Sequence, residues 1–200
     1  MAKVLKMFSE NSVYTFNQIK DDLYTIRSNK IIYQGKYDNK LNGYGKLWYD
    51  CGENNECDSK IWDAFDFIIK DKNFNILSFK YFGNFKDGLF DGCGYFEIII
   101  NNLDIIDKKY KYKGNFLKGK FSGEGEFTYD NEIYIGEFKN GLRHGVGEIF
   151  NKNGKSIFLG KTNWYNGNIV NNENAVVCIF YDNGNLKYKG RMLDNKFHGK

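Results

Sequence analysis

YIGEFKNGLRHGVGEIF, Tyr134–Phe150, packs four glycines and two phenylalanines into seventeen residues and holds one of the two histidines of the chain. Three readings compete for it: a phosphate-binding loop, a histidine placed for catalysis, or a structural unit. The rest of the chain decides between them. YFGNFKDGLFDGCGYF from Tyr81 and YKGNFLKGKFSGEGEF from Tyr112 repeat its spacing: tyrosine, glycine two positions on, phenylalanine at four, glycines at seven, eleven and thirteen. The repeated glycines are Gly83, Gly88, Gly92 and Gly94, then Gly114, Gly119, Gly123 and Gly125, then Gly136, Gly141, Gly145 and Gly147. Looser copies begin at Tyr33 and Tyr188. A degenerate copy from Phe158 keeps Gly160, Trp164 and Gly167 but carries Asn171 and Glu173 in place of its last two glycines. Self-similarity of this kind is the mark of a repeat architecture.

Within a copy the period is two, which predicts strand. Tyr112, Gly114 and Phe116 share one face while Lys111, Lys113 and Asn115 share the other. A turn around Gly119 leads into a second strand through Gly123, Gly125, Phe127 and Tyr129, so each copy reads as a β-hairpin. Glycine weakens a strand unless something approaches closely or the strand must bend. Its recurrence predicts that aromatic rings of one hairpin lie over the glycines of its neighbour, as stacked repeats require.

The pattern Tyr-x-Gly-x-aromatic-x-x-Gly-x-x-x-Gly-x-Gly resembles the MORN repeat, most closely at Tyr81, Tyr112 and Tyr134. The resemblance implies an all-β fold, an elongated single-layer antiparallel meander of about six stacked hairpins from Tyr33 to the C-terminus. It also implies an interaction module of the kind found in cytoskeletal and membrane-apposed scaffolds, in lipid kinases and beside other catalytic domains. Residues 1–32, with the alternating VYTF and LYTI, are expected to form an N-terminal capping hairpin that shields an open edge. Residues 33–200 form the array, interrupted by an insertion at about 50–60. The last copy stops at FHGK, so the expectation is a chain truncated at its C-terminal end.

Composition narrows the function classes. The chain is 42% hydrophobic and 18% aromatic, enough to fold, and without proline its turns fall to glycine and asparagine. A net charge of +4 with interspersed acids is not the concentrated basic footprint of a nucleic-acid binder. Cys51, Cys57, Cys93 and Cys178 form no C-x-x-C pair, so reduced thiols are expected rather than a metal site. Metal binding by Cys51 and Cys57, in the polar loop DCGENNECDSK, is the minor alternative. IWDAFDFII after that loop is expected to resume the sheet. MAKVLKMFSENSVY lacks the apolar core of a signal peptide, and no apolar run approaches the ~20 residues of a membrane span. The expected location is the cytoplasm, at the cytoskeleton or the cytosolic face of a membrane.

Two motifs suggest catalysis and fail on inspection. GNFLKGKF, Gly114–Phe121, nearly spells a phosphate loop, but Phe121 stands where the magnesium-binding hydroxyl belongs and both glycines are repeat positions. His144 and His198 each lie ten residues after the opening tyrosine of their copy, so repetition accounts for them, and spacing supplies neither a nucleophile nor an orienting carboxylate. No catalytic residue, cofactor or metal is therefore assigned.

The first reading is a non-catalytic protein-interaction scaffold, with Phe85, Phe116, Phe138 and Trp164 as a candidate partner groove. The second is an anionic-phospholipid module using Lys109, Lys111, Lys113, Lys118 and Lys120, with Lys187, Lys189 and Arg191 in the last copy. Against it, the strand from Ile133 presents Ile133, Ile135, Glu137 and Lys139 and breaks the basic stripe. The third is a targeting domain of a longer enzyme. Open terminal edges would also permit homo-oligomers.

Overall fold

The computed structural model describes residues 13–51, 75–102, 105–157, 162–170, 176–180, 186–193 and 196–198, all strand or turn without a helix. The strands are β1 Thr15–Lys20, β2 Leu23–Arg27, β3 Ile31–Tyr37, β4 Leu41–Asp50, β5 Asn75–Lys86, β6 Leu89–Asn102, β7 Ile105–Leu117 and β8 Lys120–Tyr129. They continue with β9 Glu132–Lys139, β10 Leu142–Asn151, β11 Thr162–Tyr165, β12 Asn168–Ile169, β13 Val176–Phe180, β14 Leu186–Leu193 and β15 Lys196–His198. Strands β1 to β12 pair antiparallel in chain order as one open meander.

Turn chemistry makes the hairpins. At Asp87-Gly88, Lys118-Gly119, Asn140-Gly141 and Asn166-Gly167 both central residues have positive φ, the two-residue turn whose twist matches that of the flanking strands. The first repeat is one residue shorter and closes differently: Tyr37 pairs Leu41 around three residues, of which Asn39 has positive φ. Past each turn the pairing shifts register, for example between Gly83 and Phe85. The extra residues on the return strand include Gly92, at φ 83, where a side chain would be strained.

The array differs from the expectation of about six hairpins in one sheet. The sheet of β1 to β12 ends with the short pair β11–β12, and the last copy lies in a separate three-stranded sheet, β13-β14-β15. The segment IWDAFDFII falls outside the described residues, and the sheet resumes at Asn75.

Burial is one-sided. Tyr33, Leu47, Tyr81, Phe96, Ile98, Tyr112, Phe121 and Tyr134 are almost wholly buried and belong to one continuous apolar cluster. Alternation puts the tyrosine face inside and leaves Lys46, Lys113, Glu124 and Glu126 exposed on the opposite face.

Candidate functional site

The repeat glycines meet across eight strands. Gly35 pairs Gly45, Gly45 pairs Gly83, and the row continues through Gly94, Gly114, Gly125, Gly136 and Gly147. Each opening tyrosine lays its ring on this row. An added Cβ on Gly114 would lie 2.6 Å from the Tyr112 hydroxyl, and one on Gly125 would lie 2.5 Å from Tyr112 Cε2. Both glycines belong to the hairpin that supplies the tyrosine. This corrects the expectation that rings cover a neighbour's glycines: the side chain two residues before a glycine on the same face is already within reach of it.

Contact with the neighbour is made by the phenylalanine at the fourth position. Tyr33 meets Phe85, Tyr81 meets Phe116, Tyr112 meets Phe138 and Tyr134 meets Trp164, all edge-on at 5.1–5.5 Å. Phe90 and Phe121 lie flat on Tyr81 and Tyr112 at 3.8 and 3.7 Å. The edge-on contacts are the arrangement aromatic quadrupoles favour; the flat pairs, with centroids so close, gain from burial and close packing instead. The fourth repeat has Arg143 at the equivalent position, its guanidinium 5.0 Å from the Tyr134 ring and 5.1 Å from Trp164. Burial lowers the pKa of Arg143, partly opposed by the nearby Tyr129 and Glu132. A cation over aromatic faces replaces the flat ring.

Hydrogen bonds lock the stack. The hydroxyls of Tyr33, Tyr81, Tyr112 and Tyr134 donate to the carbonyls of Lys36, Asn84, Asn115 and Glu137 at 2.7–3.1 Å. Burial pushes all four phenols up, so they remain neutral donors. Each turn glycine is also tied to the preceding repeat: Gly88, Gly119, Gly141 and Gly167 donate N–H to the carbonyls of Leu41, Phe90, Phe121 and Arg143 at 2.8–2.9 Å. Side chains reinforce two of these joints, Asn42 accepting from Asp87 N–H and Asp91 from Lys118 N–H. His144 occupies the same repeat position. Its ring lies beside Tyr165, and its buried Nδ1 has no hydrogen-bond partner among the described residues.

Of the candidate groove, Phe85, Phe116, Phe138 and Trp164 are at most 5% exposed. They are brought together, but as the wall of the stack. Gly114–Phe121 spans β7, its turn and β8, with no helix for a phosphate loop to open. Cys51 is buried, Cys57 lies outside the described residues, and the described residues hold no group of three metal-ligating side chains.

The opposite face carries the charges. Glu97 is buried there: Tyr95 donates to Oε2 at 2.6 Å, and Lys80 and Lys109 both sit 3.0 Å from Oε1. Burial alone would raise its carboxyl, but the bonds from Tyr95, Lys109 and Lys80 hold it down at about 2. Lys109 is thereby engaged within the sheet. Lys111 and Lys113 project from the same strand, Lys118 sits in the turn with Lys120 directly after it, and Lys189 is exposed on β14. The side chains of Lys187 and Arg191 lie outside the described residues.

This face also holds a feature the sequence reading missed. Trp48 and Phe82 meet at 5.5 Å and Phe82 stacks on Tyr95 at 6.2 Å, with Lys46 and Lys80 over the rings and Tyr44, 60% exposed, nearby. A cleft of about 560 Å³ adjoins Trp48, bounded by Arg27, Lys30, Asp50 and Lys80. Aligning the residues between the repeat positions would have shown the alternation of rings and lysines. Aligning the ninth position would have exposed Arg143 among Leu41, Phe90 and Phe121.

The family model for the MORN repeat matches residues 33–50, 81–97, 112–132 and 134–155. The copies from Phe158 and Tyr188 fall outside those segments. No curated protein matches the chain.

Proposed function

The chain belongs to the MORN-repeat family, and on that premise we propose that it is a non-catalytic protein-interaction scaffold. Repeats of this kind serve protein- and membrane-interacting scaffolds and, as a family, do not carry catalysis. The observation that supports the reading most is the division of labour between the faces. One face is sealed by its own tyrosines and phenylalanines, which fixes the shape of the sheet. The other presents Tyr44, Trp48, Phe82 and Tyr95 among lysines on that rigid support. Rigidly held aromatic and cationic groups are the usual anchors of protein interfaces. The proposed setting is the cytoplasm, at the cytoskeleton or the cytosolic face of a membrane; no helix of the described residues is long and apolar enough to cross one.

Affinity capture from the source cell, with the unmodified chain beside a Trp48→Asp/Phe82→Asp variant, tests the reading. The expected result is a protein set held by the first and released by the second. Identical capture by both would refute it. A second reading, contact with anionic lipid, is favoured by the exposed Lys113 and the half-buried Lys111, which make no ion pair among the described residues. Sedimentation with phosphoinositide vesicles at low and moderate salt separates the two. Vesicle binding abolished by Glu at Lys111 and Lys113, with no protein captured, would favour lipid.

A further inference from the structure

The charges on the open face are sorted along the array. On β4 to β7 this face carries Lys46, Lys80, Lys86, Lys109, Lys111 and Lys113, against Asp50, Asp107 and the already paired Glu97. On β8 to β10 it carries Glu124, Glu126, Glu137 and Glu148, with Lys120 and Lys139 at the turn ends. The sign changes between β7 and β8, which are neighbours in the sheet. Lys113 and Glu126 are direct cross-strand partners, and Glu124 stands opposite Glu137, a pairing of like charges. Among the described residues Lys111, Lys113, Glu124 and Glu126 make no ion pair. Cross-strand pairs of like charge are destabilising; Glu137 offsets this by accepting from Val146 N–H at 3.1 Å, whereas Glu124 and Glu126 have no such compensation from an ion pair among the described residues.

We infer that this face docks a second copy of the same chain, turned by a two-fold axis that passes between β7 and β8. The argument is self-complementarity. A two-fold interface brings the same patch together from both sides, and a patch that is basic on one side of the axis and acidic on the other then meets its opposite twice. Strand β7 of one copy lies over β8 of its partner, and because Lys113 and Glu126 stand at one height in the sheet, each Lys113 faces the partner's Glu126, with Lys111 and the partner's Glu124 one on either side of that pair. One strand further out, Tyr95 faces the partner's Ile135; on this chain Ile135 is 46% exposed, an apolar side chain on a charged strand. Packed sheets stand about 10 Å apart, within reach of opposed lysine and glutamate side chains. The same charges turn away a copy shifted by a few strands, because lysine would then meet lysine. This inference goes beyond the scaffold reading and does not rest on it.

Sedimentation velocity of the full chain tests it, read as mass against 23.4 kDa for one copy. The expected species at low salt is a dimer that dissociates as salt rises. Lys111→Glu/Lys113→Glu and Glu124→Lys/Glu126→Lys each raise the dissociation constant by about a hundredfold or more, since like charges are then opposed across the interface. An equimolar mixture of the two variants restores the dimer, a readout that a folding defect in either cannot produce. A chain that is monomeric at low salt and millimolar concentration overturns the inference. So does a dimer indifferent to both charge reversals, which would place the contact at a sheet edge, or a mixture that stays monomeric.

Discussion

Gly125→Ala isolates the contact on which the array depends. Its Cβ would lie 2.5 Å from Cε2 and the hydroxyl of Tyr112 and 2.7 Å from Cζ. Ordinary contact begins near 3.4 Å, so the ring must retreat by roughly 1 Å. It has nowhere to go, because Phe121 is stacked on it at 3.7 Å. Overpacking of this kind costs about 1–3 kcal/mol, and displacing the hydroxyl from the Asn115 carbonyl adds about 1 kcal/mol. The sum, about 3 kcal/mol, lowers the Tm by roughly 6–12 °C for a chain of this size. Gly125 does not have positive φ, so alanine suits the backbone and the whole penalty is steric. A double-mutant cycle therefore tests the cause. With Tyr112→Leu in place, Gly125→Ala should cost under about 0.5 kcal/mol, a coupling of about 2–3 kcal/mol by urea denaturation. A single Gly125→Ala variant within about 0.5 kcal/mol of the unmodified protein would refute the account of the glycine row.

Other expectations follow from the same contacts. Tyr112→Phe leaves the stack intact but deprives the Asn115 carbonyl of its donor, and should cost about 1–2 kcal/mol in urea. Arg143→Phe should leave the unfolding free energy measured in urea unchanged or raise it by about 1 kcal/mol, since Phe90 and Phe121 fill that position in the preceding repeats, whereas Arg143→Ala should lower it by about 2 kcal/mol. The Glu97 carboxyl is held at about 2 against an ordinary value of 4.5. Its depressed folded-state pKa contributes stability above pH 4.5 that is lost as pH falls toward 2. Thermal melts of Glu97→Gln should lack that share of the acid sensitivity, and a profile unchanged from the unmodified chain would contradict the pairing.

The hairpins were legible in the residues because their causes are local. Alternation sets the strand, and Asp-Gly or Asn-Gly sets a two-residue turn whatever surrounds it. The recurrence of tyrosine and glycine two apart also showed that every unit is built alike. What that recurrence did not show is which glycine a ring covers, since intra-hairpin and inter-hairpin cover leave the same spacing in the chain.

Tertiary structure decided the rest. Phe85, Phe116, Phe138 and Trp164 read equally as anchors for a partner or as stacking rings, and only the edge-on contacts with the preceding tyrosines make them wall. Lys109 is indistinguishable from Lys111 and Lys113 in the sequence, yet it is engaged because β6 brings Glu97 beside it. The boundary between basic and acidic strands likewise exists only once register has put residues from distant parts of the chain into one plane. Local chemistry chooses the unit. Register, which no single unit contains, chooses what the assembled faces can meet.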